Sequence, residues 1–396
     1  MLKRAMLLLL WVAAACAPES VNRPSILDQP RELPTLPPAA WIQPAEPITL
    51  ETVPNIALLG RLDNPVAPST IFDHALSPDG TRLAGLDNQQ LIVWDLVTGE
   101  TVFSTGRQED ATRVFFSADK TEAYTVEVSG LVDIYDAETG GTTNTFDGID
   151  QYTGVVDYDA EAGWLALGNS AGMVKVWDPM ERQALATFQA HDQAVSRLVF
   201  SDNGDWLATA DPSGEVRVWD WRAQTEVASI ANGLPALALA FAPDDSLLAV
   251  GTRQDIRLWT LPDAALQHTL PTGEGATEIM LFSPDGTYLV NGGETPDMQV
   301  WQVQDGASVA RLPDVGQDRL SATFSPDGDL LLTSELGGDV SLWNMTTITE
   351  SSVNRANLDT RSNFVYAVNW TEDGLLINLF GATGSVYVWG VPPFAE

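Results

Sequence analysis

The chain is built on an internal repeat, and that repeat limits what it can fold into more than any other feature. Eight aromatic residues recur along it: Trp94, Tyr135, Trp177, Trp219, Trp259, Trp301, Trp343 and Trp389. Neighbours are 41, 42, 42, 40, 42, 42 and 46 residues apart, by subtraction of their numbers. Asp follows at positions 95, 136, 178 and 220, and Thr260, Gln302, Asn344 and Gly390 take its place in the later repeats. A fixed period of this length means one supersecondary unit copied along the chain, with each copy packed on its neighbours.

Each unit carries the same signals in order. The first is a turn tetrad, clearest at Ser77-Pro78-Asp79-Gly80, Ser283-Pro284-Asp285-Gly286 and Ser325-Pro326-Asp327-Gly328, with looser copies in the other five repeats. Ser suits the first place of a type I turn, Pro presets φ at the second, and Gly relieves the exit. The second is a Gly-containing pair six residues before the aromatic, at Ser129-Gly130, Ala171-Gly172, Ser213-Gly214, Gly337-Gly338 and Thr383-Gly384. Gly there predicts a second tight hairpin. The third is an alternating strand that ends on the aromatic, such as Val216-Arg217-Val218-Trp219, followed by a less hydrophobic edge strand such as 226–230. The expected unit is a four-stranded antiparallel sheet.

The Trp-Asp pairs, the Ser-Pro-Asp-Gly turns and the period resemble the WD40-repeat family over roughly 55–391. The resemblance implies an all-β fold, a closed β-propeller of four-stranded WD40-type blades. Eight aromatic strands predict eight blades; seven, the commonest count in the family, is the alternative. The last aromatic strand is followed only by 390–396, so its blade lacks a fourth strand, and the segment 55–62 reads as the strand that latches the ring. The long spacing from Trp343 to Trp389 is expected to hold a loop over the polar stretch 351–363. The family often has a buried hydrogen-bonded set of His, Ser or Thr, Asp and the repeat Trp, with Asp six residues before the Trp. Those positions here are Asn88, Ser129, Ala171, Ser213, Arg253, Thr295, Gly337 and Thr383, so the set is expected to be missing or rebuilt.

The N-terminus suggests an address. Met1-Leu2-Lys3-Arg4 precedes an apolar run of 11 residues, Ala5 to Ala15, and then Cys16, the one cysteine in 396 residues. The run is too short for a spanning helix and reads as a signal peptide, residues 1–15. Ala13-Ala14-Ala15-Cys16 resembles a bacterial lipobox, which implies cleavage before Cys16 and a diacylglycerol thioether on it; the incidental cysteine in an ordinary signal peptide is the alternative. Residues 16–54 are then the lipidated Cys and a linker. Nine prolines between 17 and 54 favour an extended spacer, reaching up to roughly 100 Å at about 3.1 Å per residue. The propeller is expected over 55–391, with a tail at 392–396. The expected location is outside the cytoplasmic membrane, held by lipid in the periplasm or at the cell surface.

Charge narrows the partners. The formal charge is −34, or −36 once Lys3 and Arg4 are removed. Such a field repels nucleic acid and anionic headgroups, so no nucleic acid and no membrane contact beyond the anchor are expected. No catalytic constellation stands out. His74, His191 and His268 fall in different repeats without metal-ligand spacing, and no phosphate loop, nucleophile elbow or calcium loop occurs. No enzyme activity, cofactor or metal is expected. The regular position of the repeat aromatics makes them inter-blade packing residues.

The leading reading is a monomeric, non-catalytic scaffold for an unidentified protein partner. The resemblance implies docking at loops entering the innermost strands, near 108–111, 189–193, 233–235, 273–277 and 316–319. Candidate contact residues are Gln189, His191, Asp192, Glu274, Asp318 and Arg319, together with Trp221, which falls outside the Trp period. Two alternatives stand. One is an exported propeller enzyme or cofactor-binding protein similar to the quinoproteins, although their tryptophan-docking motif and vicinal cysteines are absent. The other is a lipoprotein similar to those that assemble outer-membrane barrels.

Overall fold

The computed structural model describes residues 41–64, 70–87, 90–106, 110–273, 275–293, 297–312, 319–335, 340–349, 355–358, 365–371, 373–381 and 384–393. Cys16 and the linker up to residue 40 lie outside the described residues. The remainder forms eight four-stranded antiparallel sheets, seven of which pair their strands in chain order. This is an eight-bladed β-propeller.

The eighth blade closes the ring. It consists of Val365–Trp370, Ile377–Gly381 and Val386–Gly390, and its outer strand is Ala57–Leu62 from the other end of the chain. Ala57 pairs with Gly390 and Leu62 with Val386. The latch therefore forms where the sequence placed it. The compact unit starts earlier than expected, at Trp41 rather than Asn55. Residues 41–54, read as linker, run across the eighth blade as a strap. Ile42 N–H donates to Leu59 O (3.2 Å), Ala45 N–H to Val391 O (2.8 Å) and Ile48 N–H to Gly374 O (2.9 Å). The proline content did not prevent this, because the strap needs only a few of its N–H groups.

The core is a ring rather than a ball. Eight clusters of buried apolar side chains lie between successive blades. The alternation within each third strand explains them. In Glu215–Asp220, Val216 and Val218 pack against the fifth blade while Trp219 packs against the third. In six blades the pairing between third and fourth strands shifts just before the aromatic, as between Val218 and Trp219. Such bulges bend and twist the polar outer strand, which protects a free sheet edge from pairing with other chains.

The turn tetrads do two jobs. Ser77 Oγ donates to Asp79 Oδ1 (2.7 Å) and accepts from Arg82 N–H (2.9 Å). The same pattern recurs at Ser117, Ser201, Ser283, Ser325 and Thr371. The closing glycine also nests against the preceding blade's turn. A Cβ on Gly328 would meet Pro284 at 3.3 Å, and one on Gly80 would meet Thr371 at 3.6 Å across the ring closure.

One expectation is corrected. The stretch 351–363 is not all loop: Arg355–Leu358 is the outer strand of the seventh blade, paired with Val340–Asn344. Its sequence, Arg-Ala-Asn-Leu, does alternate, but over four residues with one large apolar side chain the signal is too short to stand out from the polar stretch around it.

The strap gives a test. Ile48 is 2% exposed and belongs to the core between blades seven and eight. Ile48→Ala is expected to cost about 2–4 kcal/mol in chemical denaturation, as for a buried core residue. A change near zero would mean that the segment is a free linker.

Candidate functional site

The loop entering the fourth blade holds three of the expected contact residues, Gln189, His191 and Asp192, and has an extensive polar construction at its base. It leaves the outer strand Gln183–Gln189 of the third blade and leads to the inner strand Arg197–Phe200 of the fourth. Its start is clamped on Gly172. Ala190 N–H and His191 N–H both donate to Gly172 O (2.9 and 3.1 Å), and Gln189 Nε2 donates to the carbonyls of Ala171 and His191 (2.6 Å each). A Cβ on Gly172 would lie 1.9 Å from His191 O, and its φ of +79° is left-handed, so both the approach and the backbone favour glycine.

Beneath the loop, His191 is fully buried. Its Nε2 lies 2.8 Å from Thr209 Oγ1, which also accepts from Trp219 Nε1–H (3.0 Å). On the other side of the ring, His191 Nδ1 faces Asp211 Oδ2 at 3.8 Å and Glu215 Oε2 at 3.6 Å. The polar set of His, Thr, Asp and Trp is thus present in this blade. Its aspartate is Asp211, two residues before Ser213, where the family's spacing would put it. Asp211 Oδ1 accepts from Ser213 N–H (2.8 Å), Ser213 Oγ–H (2.5 Å) and Glu215 N–H (3.2 Å). Burial alone would raise this carboxyl, but these hydrogen bonds outweigh it and hold the pKa below the ordinary value. Burial lowers His191, so its imidazole is neutral near pH 7.

Thr209, His191 and Asp211 have the connectivity of a nucleophile, base and acid. Thr209 is fully buried and its oxygen is occupied by Trp219, so this trio offers no nucleophile to a substrate. It acts as an internal pin.

Sequence reading missed a row of cations. Lys175, Arg217 and Arg257 each lie two residues before a repeat Trp, and each reaches back to the loop ahead of its blade. Lys175 Nζ donates to Asp147 O (3.5 Å), Arg217 Nη1 to Ala190 O (3.0 Å), and Arg257 Nη1 to Asn232 O. The regular offset from Trp is the signal that could have revealed them. Arg217 also binds Glu215 Oε1 (2.7 Å).

The remaining expected contacts divide. Asp192 and Gln189 are exposed, as a contact surface requires. His191 is not available, because burial commits it to Thr209. Trp221 is 2% exposed and sits at the opposite end of the strands, packed on Trp164 with Nε1 donating to Gly204 O (2.9 Å). Residues two after the repeat aromatic face inward elsewhere too: Leu96, Ala137, Val303, Met345 and Val391 are all buried. Glu274 and Asp318 lie outside the described residues, as does the side chain of Arg319, whose backbone begins an inner strand of the seventh blade.

Carboxylates also join inner strands. Asp73 Oδ2 accepts from Val114 N–H (2.7 Å), tying blade one to blade two, and Asp157 Oδ2 accepts from Phe200 N–H (2.8 Å), tying blade three to blade four. Burial pushes each up to about 6.

These features define a WD40-type β-propeller. The family described as nucleolar protein 10-like, N-terminal domain, matches residues 74–305, and the chain belongs to that family. No curated protein matches the chain. Among solved structures, it is similar to the Sqt1 protein from Chaetomium thermophilum, with a TM-score of 0.70 at 16% identity, over 84% of this chain and 98% of that one. The C-terminal WD40 domain of Sif2 gives a TM-score of 0.68 at 14% identity, over 85% and 99%. The computationally designed Ika8 protein gives 0.69 at 19%, over 83% and 98%. At these identities the likeness is one of fold.

Two measurements test the site. Thr209→Val removes the shared hydroxyl and strands the buried Trp219 Nε1–H and His191 Nε2; it is expected to cost about 1–3 kcal/mol, with Thr209→Ser largely restoring stability. Asp157 has a raised folded pKa, so its contribution to stability is greatest at acid pH and falls as pH rises from 3.8 to about 6. Asp157→Asn keeps the acceptor and removes the charge. Its melting temperature should exceed the parent's by about 2 °C or more at pH 7 and match it near pH 4; an equal difference at both values would refute the assignment.

Proposed function

We propose that this chain is a non-catalytic protein-interaction platform whose docking surface is the loop face around the junction of blades three and four. The observation that supports it most is the construction of the loop at 189–196. Its exposed tip, Asp192 and Gln193, rises from a base held by Gly172, Thr209 and Arg217. Polar tips on a fixed base suit recognition, because little conformational freedom remains to be lost on binding. The family name refers to a nucleolar protein, but a chain with 54 acidic and 20 basic residues is repelled by RNA. Our reading takes only the propeller from the family.

The platform is proposed to be exported and anchored by lipid at Cys16. The support is the sequence alone: two cations, an apolar run of 11 residues and a sole cysteine directly after three alanines. The proline-rich stretch would then hold the ring away from the bilayer.

Photo-crosslinking tests the docking surface, and fractionation tests the anchor. A crosslinking residue at Asp192 or Gln193 in the full chain, expressed in its native cells, is expected to capture a reproducible protein. The same residue at Thr225 on the outer strand is not. Equal capture at both places, or at neither, would refute the docking surface. Cys16→Ser should move the protein from the membrane to the soluble fraction; unchanged membrane association would refute the anchor.

A further inference from the structure

We propose that the groove between blades five and six, at the turn end of the ring, is a docking site for an extended basic peptide that lays one large apolar side chain over Leu247 and Val303. The groove is a cleft of about 520 Å3, within the range of about 300–1,000 Å3 usual for ligand sites. Leu247, Val303, Pro243 and Pro284 make it apolar inside, and the exposed Asp244 and Asp285 form its rim. Leu247 and Val303 are the outermost members of the core between the two blades. Beside the cleft, His268 Nε2 lies 3.2 Å from Gln304 O and ties the outer strand of blade five to blade six.

The cleft exists because two side chains shrink together. In seven blades the first residue of the second strand packs toward the next blade, near the residue two after its repeat aromatic. Trp164 meets Trp221 between blades three and four, Trp206 packs with Leu261 between four and five, and Tyr288 with Met345 between six and seven. The Arg222 guanidinium lies 4.4 Å from the rings of both Trp164 and Trp221 and fills out the first of these. In the first two blades the position holds Arg82 and Glu122, which pair with Glu138 and Arg182 of the next blade. Between blades five and six the two residues are Leu247 and Val303, and the cleft is the volume that larger side chains fill elsewhere.

Two other junctions show what fits such a groove. Between blades seven and eight the pair is Leu330 and Val391, and Ile48 of the strap enters the same cluster. Ile48 N–H donates to the carbonyl of Gly374, the closing glycine of the eighth turn tetrad (2.9 Å). Between blades eight and one the pair is Leu376 and Leu96, and Trp41 and Ile42 of the strap pack on their cluster. A segment with prolines at 44 and 47 thus covers two grooves of this ring with apolar side chains. The groove between blades five and six presents the matching turn glycine, Gly286. Among the described residues no strap crosses it. An extended peptide is therefore the occupant with a precedent in the molecule itself. Charge selects among such peptides: two carboxylates at the rim, on a chain of formal charge −34, favour a basic one. The cleft lies at the opposite end of the strands from the loop face proposed above and does not depend on it.

The test uses the full chain and a fluorescent synthetic peptide that copies residues 43–52 with Glu46→Lys and Glu51→Lys, read by anisotropy at low salt. Binding should saturate below about 1 mM. Ile48→Ser in the peptide should weaken it about tenfold, the loss expected for one apolar side chain. Leu247→Trp in the protein places in the groove the indole that Trp164 and Trp206 carry at the same position, and should abolish binding. Asp244→Asn combined with Asp285→Asn should weaken it about tenfold at low salt and little at high salt. These changes keep the turns, because Asn203 already fills that place in blade four, accepting from Ser201 Oγ–H (3.0 Å) and Asp205 N–H (2.7 Å). No saturation, equal binding of the serine peptide, or binding unchanged by Leu247→Trp would leave only the general attraction of a basic peptide to an acidic surface and overturn the proposal. Self-association of the protein that Leu247→Trp removes would put a second copy in the cleft and overturn it as well.

Discussion

Every blade of this protein has two apolar faces, and the whole structure follows from the need to cover both. A single four-stranded sheet cannot do so. Alternation along the third strand sends Val216 and Val218 one way and Trp219 the other, so each blade requires a neighbour on each side. Only a closed ring satisfies the first and last blades as well. Closure is achieved by giving the eighth blade a strand from the opposite end of the chain. Leu59 and Leu62 on that strand enter the same buried cluster as Trp94 of the first blade and Phe380 of the eighth. The strap at 41–48 then adds a second layer over the seam, with Trp41 seated against Gly60 and Gly99. The ring thus needs no disulfide, which suits a chain with one cysteine.

The two ends of the strands have different tasks. At one end the turns are uniform and interlock, with the glycine of one tetrad resting on the Pro or Thr of the blade before it. A residue with a Cβ at Gly80 would be strained by its φ of +66°, although the contact with Thr371 would itself be an ordinary one. At the other end the loops differ from blade to blade and are pinned by different groups. Gly172 and Thr209 hold the loop at 189–196, Arg257 reaches Asn232 in the next, and Asn64, Asp87 and Gln90 bond one another at the ring closure. Uniform turns set the geometry of the ring, which frees the other end to vary.

Much of this was legible in the sequence because the period and the alternation are backbone-level signals. Eight aromatics, their flanking Val and Ile residues and the spare strand ahead of the first tetrad foretold eight blades and the latch. What was not legible depended on contacts between distant residues. Arg355–Leu358 hid in a polar stretch because an outer strand needs few apolar side chains. Trp221 looked exposed because it stood outside the Trp period, although its offset from Trp219 matches that of buried Leu96 and Met345. Asp211 was missed because its turn, Asp211-Pro212-Ser213-Gly214, places the carboxylate two residues earlier than the family's spacing.

That shifted aspartate explains why the fourth blade differs from the others. With Asp211 at the start of the turn, Ser213 occupies the family's aspartate position and its N–H and hydroxyl turn back to bind Asp211 Oδ1. Glu215, first in the next strand, then brings a second carboxylate to His191. The imidazole faces two acidic groups, and the Arg217 guanidinium beside them binds both Glu215 Oε1 and Ala190 O. Three hydrogen bonds to Asp211 Oδ1 and the guanidinium on Glu215 stabilise both carboxylates beside the imidazole. The same displacement that hid the aspartate from the sequence therefore rebuilds the polar set, with Thr209 on one side of a single buried imidazole and Asp211 and Glu215 on the other.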